Sequence, residues 1–139
     1  MAQVIVSKKC AERLLSGHLW IFNNEIKAVN GNYSNGDIIS VADGKKRFIG
    51  KGYINDNSKI IIRLLSFRDE EINKGFFRRG IEDAVNYRLS LGWQRQGSFR
   101  VVFAEGDILP GLIVDKYENV ISIQILTLGM ERWKGDIVD

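Results

Sequence analysis

Apolar and polar positions divide the chain into two regimes. Val4-Ile5-Val6 is a short apolar run that predicts a strand. Lys8 to Leu15 comes next as a short amphipathic helix, with Ala11, Leu14 and Leu15 at helical spacing on one face. Gly17 stands where such a helix stops. Trp20-Ile21-Phe22 resumes as a strand, and its tryptophan is expected to point into the core. The run from Asn30 to Gly36 is dense in turn formers and reads as a loop. Asp37 to Val41 and Arg47 to Ile54 then form a hairpin about Asp43-Gly44, a pair favoured in two-residue type I′ turns. Gly50 and Gly52 in the returning strand predict a bulge or a close backbone approach. Ile60 to Leu65 is a further buried strand, and the whole suggests a compact, curled barrel.

Beyond residue 67 the period lengthens. Phe77, Ile81, Ala84, Val85 and Tyr87 make one helical stripe that ends at Leu91-Gly92. Asp69, Glu70 and Glu71 crowd the segment before it, where acids suit the positive end of a helix dipole. Phe99 to Phe103 is a strand, Leu109-Pro110-Gly111 a type II turn, and Leu112 to Val114 pairs with Val120 to Leu126. Met130, Trp133 and Ile137 begin an apolar helical stripe that reads as unfinished at Asp139, as though its partner lay further along. The fold class expected is α+β: a barrel over 1–67, then a small strand, helix and hairpin domain over 68–139.

Charge adds a direction to this picture. The net +3 is mild, but residues 1–66 carry ten Lys/Arg against five Asp/Glu, and residues 67–139 carry ten against twelve. The positive excess of the first part points to a polyanionic partner there. Lys45, Lys46 and Arg47 sit at the hairpin, with Lys51 expected on the same strand face as Arg47 and Ile49. Lys8, Lys9 and Arg13 lie on the first helix and would bracket a nucleic-acid backbone together with them. Lysines at a hairpin tip also simply keep an edge strand soluble. The turn Ser16-Gly17-His18-Leu19 could offer backbone N–H groups to a phosphate and His18 to a base.

Several chemistries find no support. Cys10, the single cysteine, excludes an internal disulfide and fits a reducing compartment; no apolar run approaches the ~18 residues of a membrane span, and the expected location is the cytoplasm. Lys8 and Lys9 could activate Cys10 as a nucleophile, yet no partner base stands near it, and packing is its expected role. Gly50-x-Gly52 lacks the third glycine and the strand-to-helix setting of a cofactor loop. No Cys/His set has metal spacing. Glu105, Asp107 and Asp115 surround the Pro110-Gly111 turn without forming an obvious acid/base pair.

Two longer motifs carry a resemblance. The segment Leu14 to Ile26, with Ser16-Gly17-His18-Leu19-Trp20-Ile21-Phe22 at its centre, resembles the opening signature of a bacterial rRNA cytosine-C5 methyltransferase family. Phe103-Ala104-Glu105-Gly106-Asp107-Ile108-Leu109-Pro110-Gly111-Leu112-Ile113-Val114-Asp115 is similar to that family's second and more specific signature. The resemblance implies an N-terminal PUA domain (residues 1 to about 67), a middle domain (about 68 to 139), and a C-terminal Rossmann-like domain that binds S-adenosylmethionine. It implies ribosomal RNA as partner and RNA contact at the turn Ser16 to Leu19, which includes Gly17 and His18. Leu19 departs from the family's usual proline. The cofactor loop and the catalytic cysteine motif of the family are absent, and Cys10 does not correspond to that cysteine. Methyl transfer is therefore expected from a portion outside these residues, with no catalytic or cofactor-binding residue here. A stand-alone PUA-type RNA-binding module in translation or ribosome assembly remains the alternative, and a homodimer through exposed faces stays open.

Overall fold

The computed structural model describes residues 1–92, 99–104, 109, 111–117 and 120–138. They form two compact units, Met1–Glu70 and Glu71–Asp139.

The first unit contains β1 (Gln3–Val6), α1 (Lys8–Leu15), β2 (Trp20–Phe22), β3 (Ile26–Asn30), β4 (Ile38–Ala42), β5 (Phe48–Ile54) and β6 (Ile60–Ser66). The strands make one sheet in the order β2-β6-β5-β4-β1-β3, antiparallel except between β1 and β4. The sheet and α1 enclose a core of Val4, Val6, Cys10, Leu14, Ile21, Ile39, Val41, Ile54, Ile62 and Leu64, among others. The unit has the α+β class that the sequence predicts. β3 escapes the sequence pattern because it lies at an edge with Lys27, Ala28, Val29 and Asn30 all exposed, so no buried face imposes alternation.

α1 starts at Ser7, whose hydroxyl accepts from the Cys10 N–H at 3.2 Å. Its buried face is Cys10, Ala11 and Leu14; Leu15, expected inside, is 70% exposed. Only one narrow stripe of an eight-residue helix can face the core, and Cys10 rather than Leu15 completes it. At β5–β6 the expectation for the two glycines holds on both counts. The register shifts between Lys51 and Gly52, and a Cβ at Gly52 would lie 2.2 Å from the Arg63 carbonyl oxygen. At Gly50 it would lie 2.5 Å from that of Ser66. The strands approach so closely only because both positions lack a side chain.

In the second unit α2 (Lys74–Ser90) starts at Asn73, whose side chain accepts from the Phe76 N–H at 2.9 Å. The acids before it do not serve its dipole: its first turn holds no acid, while Asp69 pairs with Lys51 and Glu70 accepts from the Ser66 hydroxyl at 2.6 Å. Phe77, Ala84 and Arg88 are buried, whereas Tyr87, expected on the stripe, is 60% exposed. Arg88 turns a guanidinium N–H back onto the Ala84 carbonyl at 3.1 Å. β7 (Phe99–Phe103), β8 (Leu112–Tyr117) and β9 (Val120–Ile125) form an antiparallel sheet.

Gly111 has φ +84°, as the expected type II turn requires, and Leu112 N–H donates to the Leu109 carbonyl at 3.1 Å. Pro110 lies outside the described residues. Two short helices come after β9: α3 (Leu128–Glu131), whose N-cap is Thr127, and α4 (Lys134–Val138). Met130 is fully buried, and Trp133 packs on Phe77 with ring centroids 5.0 Å apart. Of the apolar stripe read from the sequence, Met130 is therefore covered and Trp133 rests on Phe77 of α2.

Candidate nucleic-acid interface

The hairpin between β4 and β5 is longer than its sequence suggests. Asp43 N–H donates to the Arg47 carbonyl at 3.0 Å, and Lys46 N–H to the Asp43 carbonyl at 2.9 Å. The tip is therefore a three-residue Gly44-Lys45-Lys46 loop, and the left-handed position falls on Lys46, φ +62°, instead of on Gly44. The sequence pair Asp-Gly points to a two-residue turn, but the Asp43 side chain directs the outcome. Its carboxylate accepts from Lys45 N–H (2.9 Å), Arg47 N–H (2.9 Å) and Arg47 Nε (2.8 Å), closing the loop around itself. These bonds, the Arg47 backbone bond foremost, hold its pKa below the usual carboxylate value. Lys45 and Lys46 are exposed, and Arg47 stays exposed despite its ion pair. Arg47 closes this loop opposite Asp43, one residue before β5 starts at Phe48.

Lys51 lies elsewhere and is engaged within the fold. Its ammonium donates to the Glu70 carbonyl at 2.9 Å and pairs with Asp69 at 3.2 Å, with its side chain 12% exposed. Ile49, expected beside it on one face, is in the core.

On α1, Lys8 and Lys9 are exposed in the first turn or at its edge. Arg13 turns inward at the other end. It forms a two-pronged pair with Glu25, one prong at 2.7 Å, and donates to the Trp20 carbonyl at 2.8 Å. Glu25 also accepts from Phe22 N–H at 2.9 Å. The Arg13 hydrogen bonds hold the Glu25 carboxyl below its ordinary pKa. Cys10 sits beside this pair, fully buried, with its thiol pushed up to about 11, first by burial and then by the Glu25 charge. Lys8 and Lys9 do not activate it, and Cys10 is a packing residue.

In the turn after α1, the Gly17 and His18 N–H groups are turned back onto the helix. Gly17 N–H donates to the Leu14 carbonyl (3.0 Å) and His18 N–H to that of Arg13 (3.3 Å), with Gly17 at φ +109°. This is the two-bond glycine cap of a helix C-terminus. The expectation that these N–H groups meet a phosphate fails, because the helix's own carbonyls consume them. The His18 side chain remains exposed, while Leu19 is buried. Trp20 is also a correction: it is 38% exposed, with the Arg63 guanidinium 5.3 Å from its ring centroid. β2 alternates exposed, buried, exposed, and the buried position belongs to Ile21. Phe22, equally 38% exposed, has Arg13 at 5.9 Å from its ring. Sequence alternation shows that Trp20 and Phe22 share a face but does not say which face is dry.

In the second unit Asp115 is buried and held by Arg100 at 2.7 and 3.2 Å, so it organises the sheet. Glu105 and Asp107 lie outside the described residues.

Comparisons with known proteins bear on both units. Residues 4–67 match the PUA-like domain family, and the curled α+β sheet of the first unit is of that type. Over 139 residues, 99% of the chain, the sequence is 34% identical to the Alteromonas mediterranea protein named ribosomal RNA large subunit methyltransferase I, of which it covers 35%. The protein of the same name from Shewanella frigidimarina is 38% identical, with all of this chain and 36% of that one aligned. The chain thus spans about a third of the length of these relatives. A Streptococcus mutans structure, described as a candidate SAM-dependent methyltransferase, superposes on 99% of the chain with a TM-score of 0.83. The match covers 36% of that structure at 16% identity, a likeness of fold. A candidate methyltransferase complexed with SAH superposes equally well.

Proposed function

We propose, for a chain that carries a PUA-like domain and is homologous along its length to large-subunit rRNA methyltransferases, that it supplies the RNA-holding part of such an enzyme. In this reading SAM binding and methyl transfer to C5 of a cytosine are carried by sequence outside these 139 residues. Ribosomal RNA is the partner, and the cytoplasm is where it is met.

The observation that carries the reading is the hairpin tip. Lys45, Lys46 and Arg47 are exposed on a loop whose shape is fixed by the Asp43 carboxylate. A loop already held in shape suits a phosphate backbone because little loop entropy remains to be lost on binding. Lys8, Lys9 and His18 add exposed polar groups at the two ends of α1. Gly17 contributes the turn that carries the chain from α1 to β2, and Arg13 and Lys51 act as positioning residues through Glu25 and through the segment at Asp69 and Glu70.

The one Gly-x-Gly pair in a strand has the faces of both glycines filled by the β6 backbone, so it offers no cradle. No described helix is long and apolar enough to cross a membrane.

Binding of this chain to rRNA fragments, titrated across salt, tests the reading. Affinity should fall steeply as salt rises, and Lys45→Ala or Lys46→Ala should each lower the log–log slope by about one. Affinity indifferent to salt would remove the phosphate contacts. Turnover by the chain alone with labelled SAM and rRNA would overturn the division of labour.

A further inference from the structure

We propose that Trp20 and Phe22, on the outer face of β2, form a stacking platform for unpaired RNA bases. The inference rests on the RNA-binding reading above and deepens it by naming where bases, as distinct from phosphates, are held.

β2 is a three-residue edge strand. Its middle residue Ile21 is fully buried, so the side chains on either side of it point away from the core. Edge strands in soluble proteins are usually guarded by charged side chains or proline. This one presents two large rings, each 38% exposed. Ordinary packing would have placed them inside.

Each ring is also paired with a guanidinium, and the fold fixes both pairs. Arg63 lies directly opposite Trp20 in the β2–β6 register and reaches 5.3 Å from its ring centroid. Arg13 is held by Glu25 and by the Trp20 carbonyl, and from there lies 5.9 Å from the Phe22 ring. At Trp20 a flat apolar surface beside the Arg63 cation matches a nucleotide, which offers a π face and a phosphate together, while Arg13, paired with Glu25, positions the Phe22 ring. An apolar protein segment would gain from the rings but would lose by desolvating the Arg63 cation. The excess of five positive charges over residues 1–66 favours the polyanion. Bases within a duplex hide their faces against one another, so the partner segment must be single-stranded or splayed.

The test compares a short single-stranded RNA with an oligomer of equal charge that carries abasic sites, each titrated against this chain by fluorescence anisotropy. Wild-type affinity should drop about five- to hundred-fold when bases are removed. Trp20→Leu keeps apolar bulk without a π face and should lose part of that affinity, and abasic sites should cost it less than they cost wild type because only the Phe22 ring remains. Trp20→Phe should restore most of the binding, and thermal melts of each variant report whether it is folded. The abasic comparison uses the wild-type chain and does not depend on any variant folding. If RNA binds with steep salt dependence but equally well with or without bases, the platform is wrong while the RNA-binding reading survives. If folded Trp20→Leu binds RNA like wild type, and loses as much on base removal, the platform is overturned. If no RNA binds at all, both readings fall.

Discussion

The two units are similar in length, and the described contacts that stand out in each are of different kinds. Around its apolar core, the first fixes its margins with polar clamps: Arg13 to Glu25 and the Trp20 carbonyl, Asp43 across its hairpin, Tyr33 to Asp56 at 2.8 and 3.0 Å, and Lys51 to Asp69 and the Glu70 carbonyl. Among the described residues of the second, Phe77 lies between Phe76 and Trp133, Met130 and Leu112 are fully buried, and the Arg100–Asp115 pair braces the sheet. The difference bears on function. Clamped margins hold cations and aromatic rings at fixed positions on a surface, which suits a large charged ligand. An apolar interior gives cohesion without shaping the exterior.

If the contrast is sound, the largest loss belongs to the apolar side. Phe77→Ala removes a fully buried ring and should cost about 3–5 kcal/mol in denaturant unfolding monitored through the Trp133 environment. A smaller effect than that of a broken clamp would erase the distinction. Glu25→Ala should cost about 1–3 kcal/mol, since it leaves Arg13 without its carboxylate partner and frees the Phe22 N–H. The same group gives the first unit an acid-sensitive share of stability. The folded Glu25 pKa lies below 4.5, so its contribution is complete above that value and is lost as pH falls through the depressed folded pKa. Acid titration of wild type against Glu25→Ala should show the two curves converging in that window, and parallel curves would refute the clamp. Lys46→Gly is the smallest test. It relieves a left-handed lysine and should stabilise by about 1 kcal/mol or less while weakening RNA binding.

Much of the frame is legible in the sequence. The helices at Lys8 and at Lys74, the close β5–β6 approach and the turn at Gly111 come from spacing and glycine placement, because local backbone sterics dictate them. What escapes is what depends on the partner across the gap. Periodicity puts Trp20 and Phe22 on one face of β2 but cannot say that Ile21 wins the interior. Arg13 reads as a surface cation because its acceptor, Glu25, lies twelve residues away in sequence. The hairpin loop length turns on the Asp43 side chain and not on the Asp-Gly pair. Arg88, not Tyr87, is buried because an arginine can return its donors to the Ala84 carbonyl of its own helix. The exposed β3 carries no alternation to read. For the candidate interface, charge points to the first unit, while its division into exposed cations and internal clamps requires the fold.

Gly111 does more than complete its turn. A Cβ at that position would come within 2.3 Å of the Thr127 hydroxyl oxygen, the same oxygen that accepts from the Met130 N–H to start α3. Even alanine there would face two penalties at once, a disfavoured backbone sign and eviction of the group that begins the next helix. The absence of one methyl therefore couples the β8 entry to the path of the chain sixteen residues later.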